Sequence, residues 1–133
     1  QKEKTLDTYK RAIKYNYLPE VIHRKIGQTY LSLNRLDSAT FYLEKAASPD
    51  NPANRVETYK HLGDLHLRRG DYAKALDYFN QSIALNRQQP GSKKTLLAAA
   101  QLGIGQVYEA QGRYRQALGT YQTALQTLHF AFR

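Results

Sequence analysis

The sequence predicts an all-α chain built as an array of repeated helical units. A short motif occurs three times, around Gly27, Gly63 and Gly105, each time as an aliphatic residue, the glycine and a polar residue. Each glycine is followed after twelve, sixteen and nineteen residues by an alanine, a large apolar residue and a small residue. Self-similarity at a period of several tens of residues is the signature of a repeat array. The residues at these intervals are Ala39, Leu43 and Ala46; Ala75, Phe79 and Ser82; and Ala117, Tyr121 and Ala124.

Two clusters of turn-forming residues separate the units. Segment 48–54 combines two prolines with serine, aspartate and asparagine, and segment 86–92 contains adjacent proline and glycine. Such residues favour turns over continued helix. The motif glycines are 36 and 42 residues apart, so the second link carries more extra residues than the first. Ser92 is the predicted N-cap of the helix that follows this longer link.

A tighter turn divides each unit into two helices. Gly70 and Gly112 stand at this turn in the second and third units, and glycine tolerates the left-handed conformation that ends many helices. Asn34 stands there in the first unit, and asparagine is the next-best residue for that conformation. The predicted helices are therefore 19–33, 37–47, 54–69, 72–86, 93–111 and 114–129.

The first residues predict one more helix, over 3–16. Thr5, Tyr9 and Ala12 repeat the small–aromatic–small spacing of the second helix of a unit, so this helix is expected to belong to a truncated unit. The chain is accordingly expected to be a piece of a longer array. With the first helix of that unit missing, the stripe formed by Leu6, Tyr9 and Ile13 is expected to be left uncovered.

These residues and spacings resemble the tetratricopeptide repeat (TPR) family, whose basic unit is about 34 residues long. The resemblance covers three repeats, at 19–47, 54–86 and 93–129, and the half repeat before them. It implies a single array over 1–133, in which antiparallel helix pairs stack into a right-handed superhelix, an α-solenoid. It also implies a concave groove that binds peptides or protein partners.

The motif glycines are predicted to mark the closest approach of the two helices in each repeat. A glycine inside a helix costs about 1 kcal/mol relative to alanine, so its repeated use needs a structural reason. We expect Ala39, Ala75 and Ala117 to fill the opposing side. The large residues around this contact are expected to be Tyr30, Tyr72, Phe79, Tyr108, Tyr114 and Tyr121.

The resemblance places the concave surface on the first helix of each repeat. Arg24 and Lys60 occupy equivalent places, three residues before their glycines, and side by side they would grip a carboxylate or phosphate. Asp64, four residues after Lys60, is the internal competitor for this grip. The residues on which we base the groove are Arg24, Gln28, Leu31, Lys60, Asp64, Leu67, Gln106 and Glu109. The wider lining adds Val21, Ser32, Glu57, Arg68, Ala99, Leu102 and Ala110.

One known TPR specificity does not fit these positions. Chaperone-binding members use a clamp of lysines, asparagines and an arginine, and Arg24 matches its first lysine. Gln28 and His61, however, replace its asparagines, and Ala99 and Gly103 replace its distal lysine and arginine. The sequence therefore argues against binding of heat-shock chaperone tails.

Composition excludes several other functions. The chain has no cysteine, which removes disulfides, thiolate metal sites and cysteine nucleophiles and decides nothing between compartments. His61 and His66 are five residues apart and do not share a helix face as zinc ligands would, so no metal and no cofactor is expected. No apolar run reaches the roughly 20 residues that span a bilayer. A soluble, cytoplasmic location is favoured, and no catalytic constellation is found, so the chain is not expected to be an enzyme.

The net charge of +9 leaves three kinds of partner to weigh. A basic surface attracts acidic protein segments, nucleic acid or anionic lipid, and no membrane partner is expected here. The tyrosines that would stack on bases fall on predicted core positions, which argues against nucleic acid. We therefore predict a protein-interaction module that binds a peptide or partner segment, including an acidic one, in its groove. The alternative is a sensory or regulatory TPR domain of a bacterial signalling or transcription-regulating protein. The sequence leaves the oligomeric state open.

Overall fold

The computed structural model describes residues 2–14 and 19–131, and within these ranges it consists of seven α-helices joined by short turns. The helix ends agree with the predicted ones to within two residues. Residues 15 and 16 of the predicted first helix lie outside the described residues. The helices are α1 (Lys2–Lys14), α2 (Pro19–Ser32), α3 (Leu36–Ala46), α4 (Pro52–Arg68), α5 (Tyr72–Gln88), α6 (Lys94–Ala110) and α7 (Tyr114–Ala131).

The helices form pairs that stack in chain order. The closest packing joins α2 with α3, α4 with α5, and α6 with α7, and each pair then packs on the next through α3 with α4 and α5 with α6. The first members of the three pairs also contact one another, α2 with α4 and α4 with α6. This arrangement is an α-solenoid, as predicted, with α2, α4 and α6 side by side on one face.

The turns inside the pairs have the predicted backbone. Gly70 and Gly112 adopt φ values of 77° and 76°, and Asn34 adopts 59°, in the left-handed region. Residues with a Cβ rarely occupy that region, and asparagine is among those that do. The predicted equivalence of Asn34 with the two glycines is confirmed.

The motif glycines mark close helix contacts, but with partners other than those predicted. A Cβ added to Gly63 would lie 2.6 Å from two ring carbons of Phe79, and one added to Gly27 would lie 2.6 Å from Cγ of Leu43. The large residue sixteen positions on, not the alanine twelve positions on, therefore faces the glycine. A Cβ added to Gly103 of α6 would run into the same Phe79 ring. Tyr114, predicted to pack nearby, is instead 69% exposed.

Helix α1 packs on α2, which corrects a second expectation. Leu6 is only 5% exposed and belongs to the core cluster that contains Ile26 and Tyr30 of α2. Tyr9 is partly buried against the same cluster, and the side chain of Ile13 lies outside the described residues. The described part of the stripe is covered by the following helix.

Asparagine side chains hold the links between repeats. Asn51 caps α4, its Oδ1 accepting a hydrogen bond from the Asn54 N–H at 3.1 Å. In the longer link, Asn86 Nδ2 donates to the carbonyl of Lys93 at 3.0 Å. The cap residue of α6 is Lys93, so the predicted N-cap at Ser92 is wrong by one residue. The loop is fastened by an asparagine of the preceding helix rather than by a side-chain cap.

Candidate functional site

A cleft of about 460 Å³ lies between the exposed faces of α4 and α6. Its most exposed apolar side chain, Leu102, is 47% accessible to solvent. The cleft thus offers an apolar patch and polar side chains together. Its lining residues are Lys60, Asp64, Leu67 and Arg68 of α4, and Ala99, Leu102 and Gln106 of α6.

The structure brings four of the eight predicted groove residues into this cleft, namely Lys60, Asp64, Leu67 and Gln106. The wider set predicted from the sequence contains the cleft's remaining residues. The other four predicted residues, Arg24, Gln28, Leu31 and Glu109, lie elsewhere.

Gln28 is exposed and lines a separate cleft between α1 and α2. Leu31 is 4% exposed and belongs to the core, so its assignment to the groove surface is wrong. Glu109 Oε1 accepts a hydrogen bond from the Tyr121 hydroxyl at 2.7 Å. That contact directs Glu109 toward α7 and away from the cleft, which corrects the prediction for this residue as well.

Lys60 and Asp64 form an internal pair within the cleft. Lys60 Nζ lies 2.7 Å from Asp64 Oδ2, at the i,i+4 spacing of a helix. Burial raises the pKa of Asp64, while the neighbouring Lys60 and Arg68 oppose that shift. The predicted competitor therefore neutralises Lys60.

Arg24 is also paired within the chain. It is 8% exposed, its Nε donates to Asn54 Oδ1 at 2.7 Å, and its Nη2 lies 3.3 Å from Glu57 Oε2. Asn54 is itself buried and donates from Nδ2 to the carbonyls of Glu20 and Ala46 at 3.1 Å each. The predicted grip required two cations without internal carboxylates, and the structure does not meet that condition at either position.

His61 lies between these two pairs and is neutral at physiological pH. Burial, followed by the charges of Lys60 and Arg24, lowers the pKa of His61 to about 3. Its Nδ1 lies 3.9 Å from Asp64 Oδ2. His61 thus adds no positive charge to this part of α4.

Arg68 is the cation of the cleft for which no ion pair is seen in the described residues. Its Nη1 donates to the main-chain carbonyl of Leu31, across the contact between α4 and α2. From the sequence, Arg68 was predicted to belong only to the wider lining, and Arg24 and Lys60 were predicted to bind the carboxylate or phosphate. Spacing along α4 could not have chosen between them, because Asp64 stands four residues from both Lys60 and Arg68.

A second cleft, of about 320 Å³, lies at the N-terminal ends of α2 and α4 and was not foreseen. The link between α5 and α6 returns over Arg24 and forms one wall with Pro90, Gly91 and Ser92. The sequence marked this segment as a turn cluster, but no local signal shows which helix ends it covers.

The described part of the chain shows neither a metal-binding cluster nor a helix that could span a membrane. No group of three or more histidine, aspartate or glutamate side chains there is arranged to hold a metal ion. None of the helices in residues 2–14 and 19–131 has the length and apolar character that a membrane crossing requires.

Fold and cleft together define a helical repeat protein with one groove-bearing face, and comparison with known proteins identifies the family. Two family models, each described as tetratricopeptide repeat, match residues 54–128 and 25–49. The chain belongs to the tetratricopeptide repeat family, as the sequence predicted.

The chain is similar to several curated proteins, including the following two. Photosystem I assembly protein Ycf3 of Rippkaea orientalis is 30% identical over 83 residues, which cover 62% of this chain and 47% of that protein. Anaphase-promoting complex subunit 3 of Schizosaccharomyces pombe is 31% identical over 86 residues, covering 65% of this chain and 13% of that protein. The chain thus spans less than half the length of either relative.

Among solved structures, the chain resembles BtubC (BKLC) from P. vanneervenii. The TM-score is 0.79 at 19% identity, with 96% of this chain and 57% of that chain covered. A likeness at this identity shows the shared fold and nothing of the ligand.

Proposed function

We propose that the chain is a non-catalytic protein-interaction module that binds a peptide or partner segment along the face formed by α2, α4 and α6. The observation that carries the proposal is Leu102, exposed in a cleft beside Leu67 and Ala99. An apolar patch edged by a few polar groups is the usual composition of a binding site. Here Gln106 and the paired Lys60 and Asp64 supply those polar groups.

The kinds of relative support a protein partner. One relative is named for the assembly of photosystem I and the other is a subunit of the anaphase-promoting complex. Both names describe work within multiprotein assemblies. We carry over from them the class of partner, another protein, and not its identity.

The charges of the cleft favour a segment with an acidic residue next to an apolar one. Lys60 and Asp64 cancel each other at 2.7 Å, whereas no ion pair of Arg68 is seen in the described residues. A carboxylate placed near Arg68 would gain a charge-assisted hydrogen bond, the stronger class of such bonds. The apolar side chain before or after it would cover Leu102.

The proposal is tested by selecting peptides from a displayed library on the wild-type chain and measuring their affinity by fluorescence anisotropy. Leu102→Gln and Arg68→Gln are each expected to weaken binding roughly tenfold, as for loss of one buried side chain or one charged hydrogen bond. Leu118→Gln and Arg115→Gln make the same chemical changes on α7, outside the cleft, and should leave the affinity unchanged.

Thermal unfolding of all four variants separates lost binding from lost folding, because Arg68 also holds the Leu31 carbonyl. Equal losses in the cleft and α7 variants would show nonspecific attraction to the basic surface and would reject the groove.

A further inference from the structure

The second cleft, at the N-terminal ends of α2 and α4, has the size of a small-molecule site. Its volume is about 320 Å³, at the lower end of the range for ligand pockets. Segment 89–93, which joins α5 to α6, closes one side of it. None of its lining residues lines the cleft between α4 and α6, so the two clefts are separate. The space suits a compact molecule better than a helix or an extended peptide.

Arg24 is the charged side chain that this cleft buries. It is 8% exposed, and Asn54 Oδ1 holds its Nε at 2.7 Å. Its Nη2 lies 3.3 Å from Glu57 Oε2, whereas its Nη1 makes no hydrogen bond within the described ranges. A buried charged group is costly when its donors are left without acceptors. The fixed guanidinium of Arg24 therefore favours an acceptor in the cleft.

Glu57 places the opposite charge beside Arg24 in the same cleft. Its side chain is 38% exposed, and only its Oε2 is paired among the residues that the structure describes. A ligand of one charge sign would be attracted by one member of this pair and repelled by the other. A molecule that carries both signs on neighbouring atoms matches both members. The pair thus favours a zwitterion over a simple anion or cation.

The start of α6 adds hydrogen-bond donors to the cleft. Lys93, the cap residue of α6, makes no side-chain cap hydrogen bond, whereas the side chain of Asn51 caps α4. The first N–H groups of a helix have no partner within the helix, and they favour a negative group. Lys93 and Leu96 both line the cleft. A ligand carboxylate is therefore favoured by the start of α6 as well as by Arg24.

Apolar side chains complete the lining. Val21 and Val56 come from α2 and α4, and Pro90 and Leu96 from the link and from α6. Transfer of an aliphatic group from water to such surroundings is favourable. The cleft thus combines a pair of opposite charges with an aliphatic wall.

We infer that this cleft is a binding site for a free α-amino acid with an aliphatic side chain. Its carboxylate pairs with Arg24, its ammonium group pairs with Glu57, and its side chain lies against Val21 and Leu96. An α-amino acid carries both charges on one carbon, as the adjacent charges of Arg24 and Glu57 require. This site goes beyond the proposed peptide groove, and either proposal can fail without the other.

Isothermal titration calorimetry of the full 133-residue chain with L-leucine and L-valine tests the inference. Binding is expected with a dissociation constant on the order of 1 mM or tighter. N-acetyl-L-leucine lacks the ammonium group and L-leucinamide lacks the carboxylate. Each should bind at least about tenfold more weakly than L-leucine, since each loses one charged hydrogen bond.

Glu57→Gln separates ligand binding from a purely structural role. The variant should bind L-leucine about tenfold more weakly, because its ammonium group loses a charged partner. N-acetyl-L-leucine should bind the variant at least as well as it binds the wild type, because the repulsion of its carboxylate is gone. Glu44→Gln makes the same change at an exposed residue of α3, outside the cleft, and should leave both affinities unchanged.

Four outcomes would overturn the inference. They are no binding of either amino acid to the wild-type chain, equal affinities for L-leucine and its two blocked forms, equal losses in the Glu57 and Glu44 variants, and an equal loss of L-leucine and N-acetyl-L-leucine in Glu57→Gln. Leu102→Gln should leave L-leucine binding unchanged, and a loss there would place the amino acid in the other cleft.

Discussion

Replacing Gly63 with alanine tests whether close packing against Phe79 is the reason for the glycine. A Cβ at this position lies 2.6 Å from the ring carbons Cδ1 and Cε1 of Phe79, far inside normal van der Waals contact. The ring is fully buried and also contacts the Cβ position of Gly103 of α6. A methyl group added at Gly63 therefore presses on a ring that two helices already confine.

Two opposing effects set the magnitude. Alanine is better than glycine inside a helix by about 1 kcal/mol. Overpacking a well-filled core costs about 1–3 kcal/mol. Gly119 of α7 is the matched control, because it is also helical but a Cβ there meets no atom within 4 Å. Gly119→Ala should stabilise the chain by about 1 kcal/mol, and Gly63→Ala should be about 1–3 kcal/mol less stable than that control.

Urea and thermal unfolding measure the difference. At about 4 °C per kcal/mol for a chain of this size, the midpoints of the two variants should differ by roughly 4–12 °C. The unfolding midpoint of Gly63→Leu should be lower than those of both alanine variants. Phe79→Leu should lower the free energy of unfolding less in the Gly63→Ala variant than in the wild type. The reason is that the smaller side chain relieves the clash with Ala at position 63. An equal response of Gly63 and Gly119 to alanine would refute the reasoning.

Three further predictions concern a buried polar contact, a histidine and a turn. Asn54→Ala should lower the unfolding free energy by about 2–4 kcal/mol in chemical denaturation, because it strands the Arg24 Nε donor and two carbonyls; an equal effect of exposed Asn80→Ala would contradict this. Because burial lowers the pKa of His61 to about 3, its contribution to stability is lost as the pH falls from 6.5 toward 3. In the His61→Gln variant, the free energy of unfolding should fall less steeply as the pH decreases, by up to about 1.4 kcal/mol per pH unit. The same pH slope in the variant and the wild type would contradict this prediction. Gly70→Ala should lower the free energy of unfolding by about 1–2 kcal/mol in thermal unfolding, because its φ is 77° and a Cβ there meets no atom. Gly70→Asn should lower it less. Equal losses in the two variants would show that φ is not the cause.

The sequence predicted which residues form helices better than which helix covers which face. Local chemistry decides the first question, since Asn34 and Gly70 end helices by their own backbone preference. The second depends on neighbours. Leu6 is buried because α2 packs on it, whereas Tyr114 stays exposed because no described helix follows α7. Both α1 and α7 have a periodic apolar stripe, so periodicity alone does not show which stripe another helix covers.

The same distinction explains the outcome for the candidate site. The pair of Lys60 and Asp64 was foreseeable because both lie on one helix at a fixed spacing. The contact of Arg24 with Asn54 joins residues 30 positions apart, so it depends on how α2 meets α4. Spacing along one helix cannot show that a cation predicted to be free is 8% exposed and already paired.

The cleft and the core beneath it are linked by Phe79. The ring contacts the Cβ positions of both Gly63 of α4 and Gly103 of α6, so its size limits how closely these two helices approach it. The lining residues of the cleft stand within five positions of the same two glycines along the same helices. A side chain at either glycine must move one helix relative to the other, because the buried ring cannot yield. Gly63→Ala should therefore weaken groove binding even at temperatures where the variant is fully folded, although neither Gly63 nor Phe79 lines the cleft.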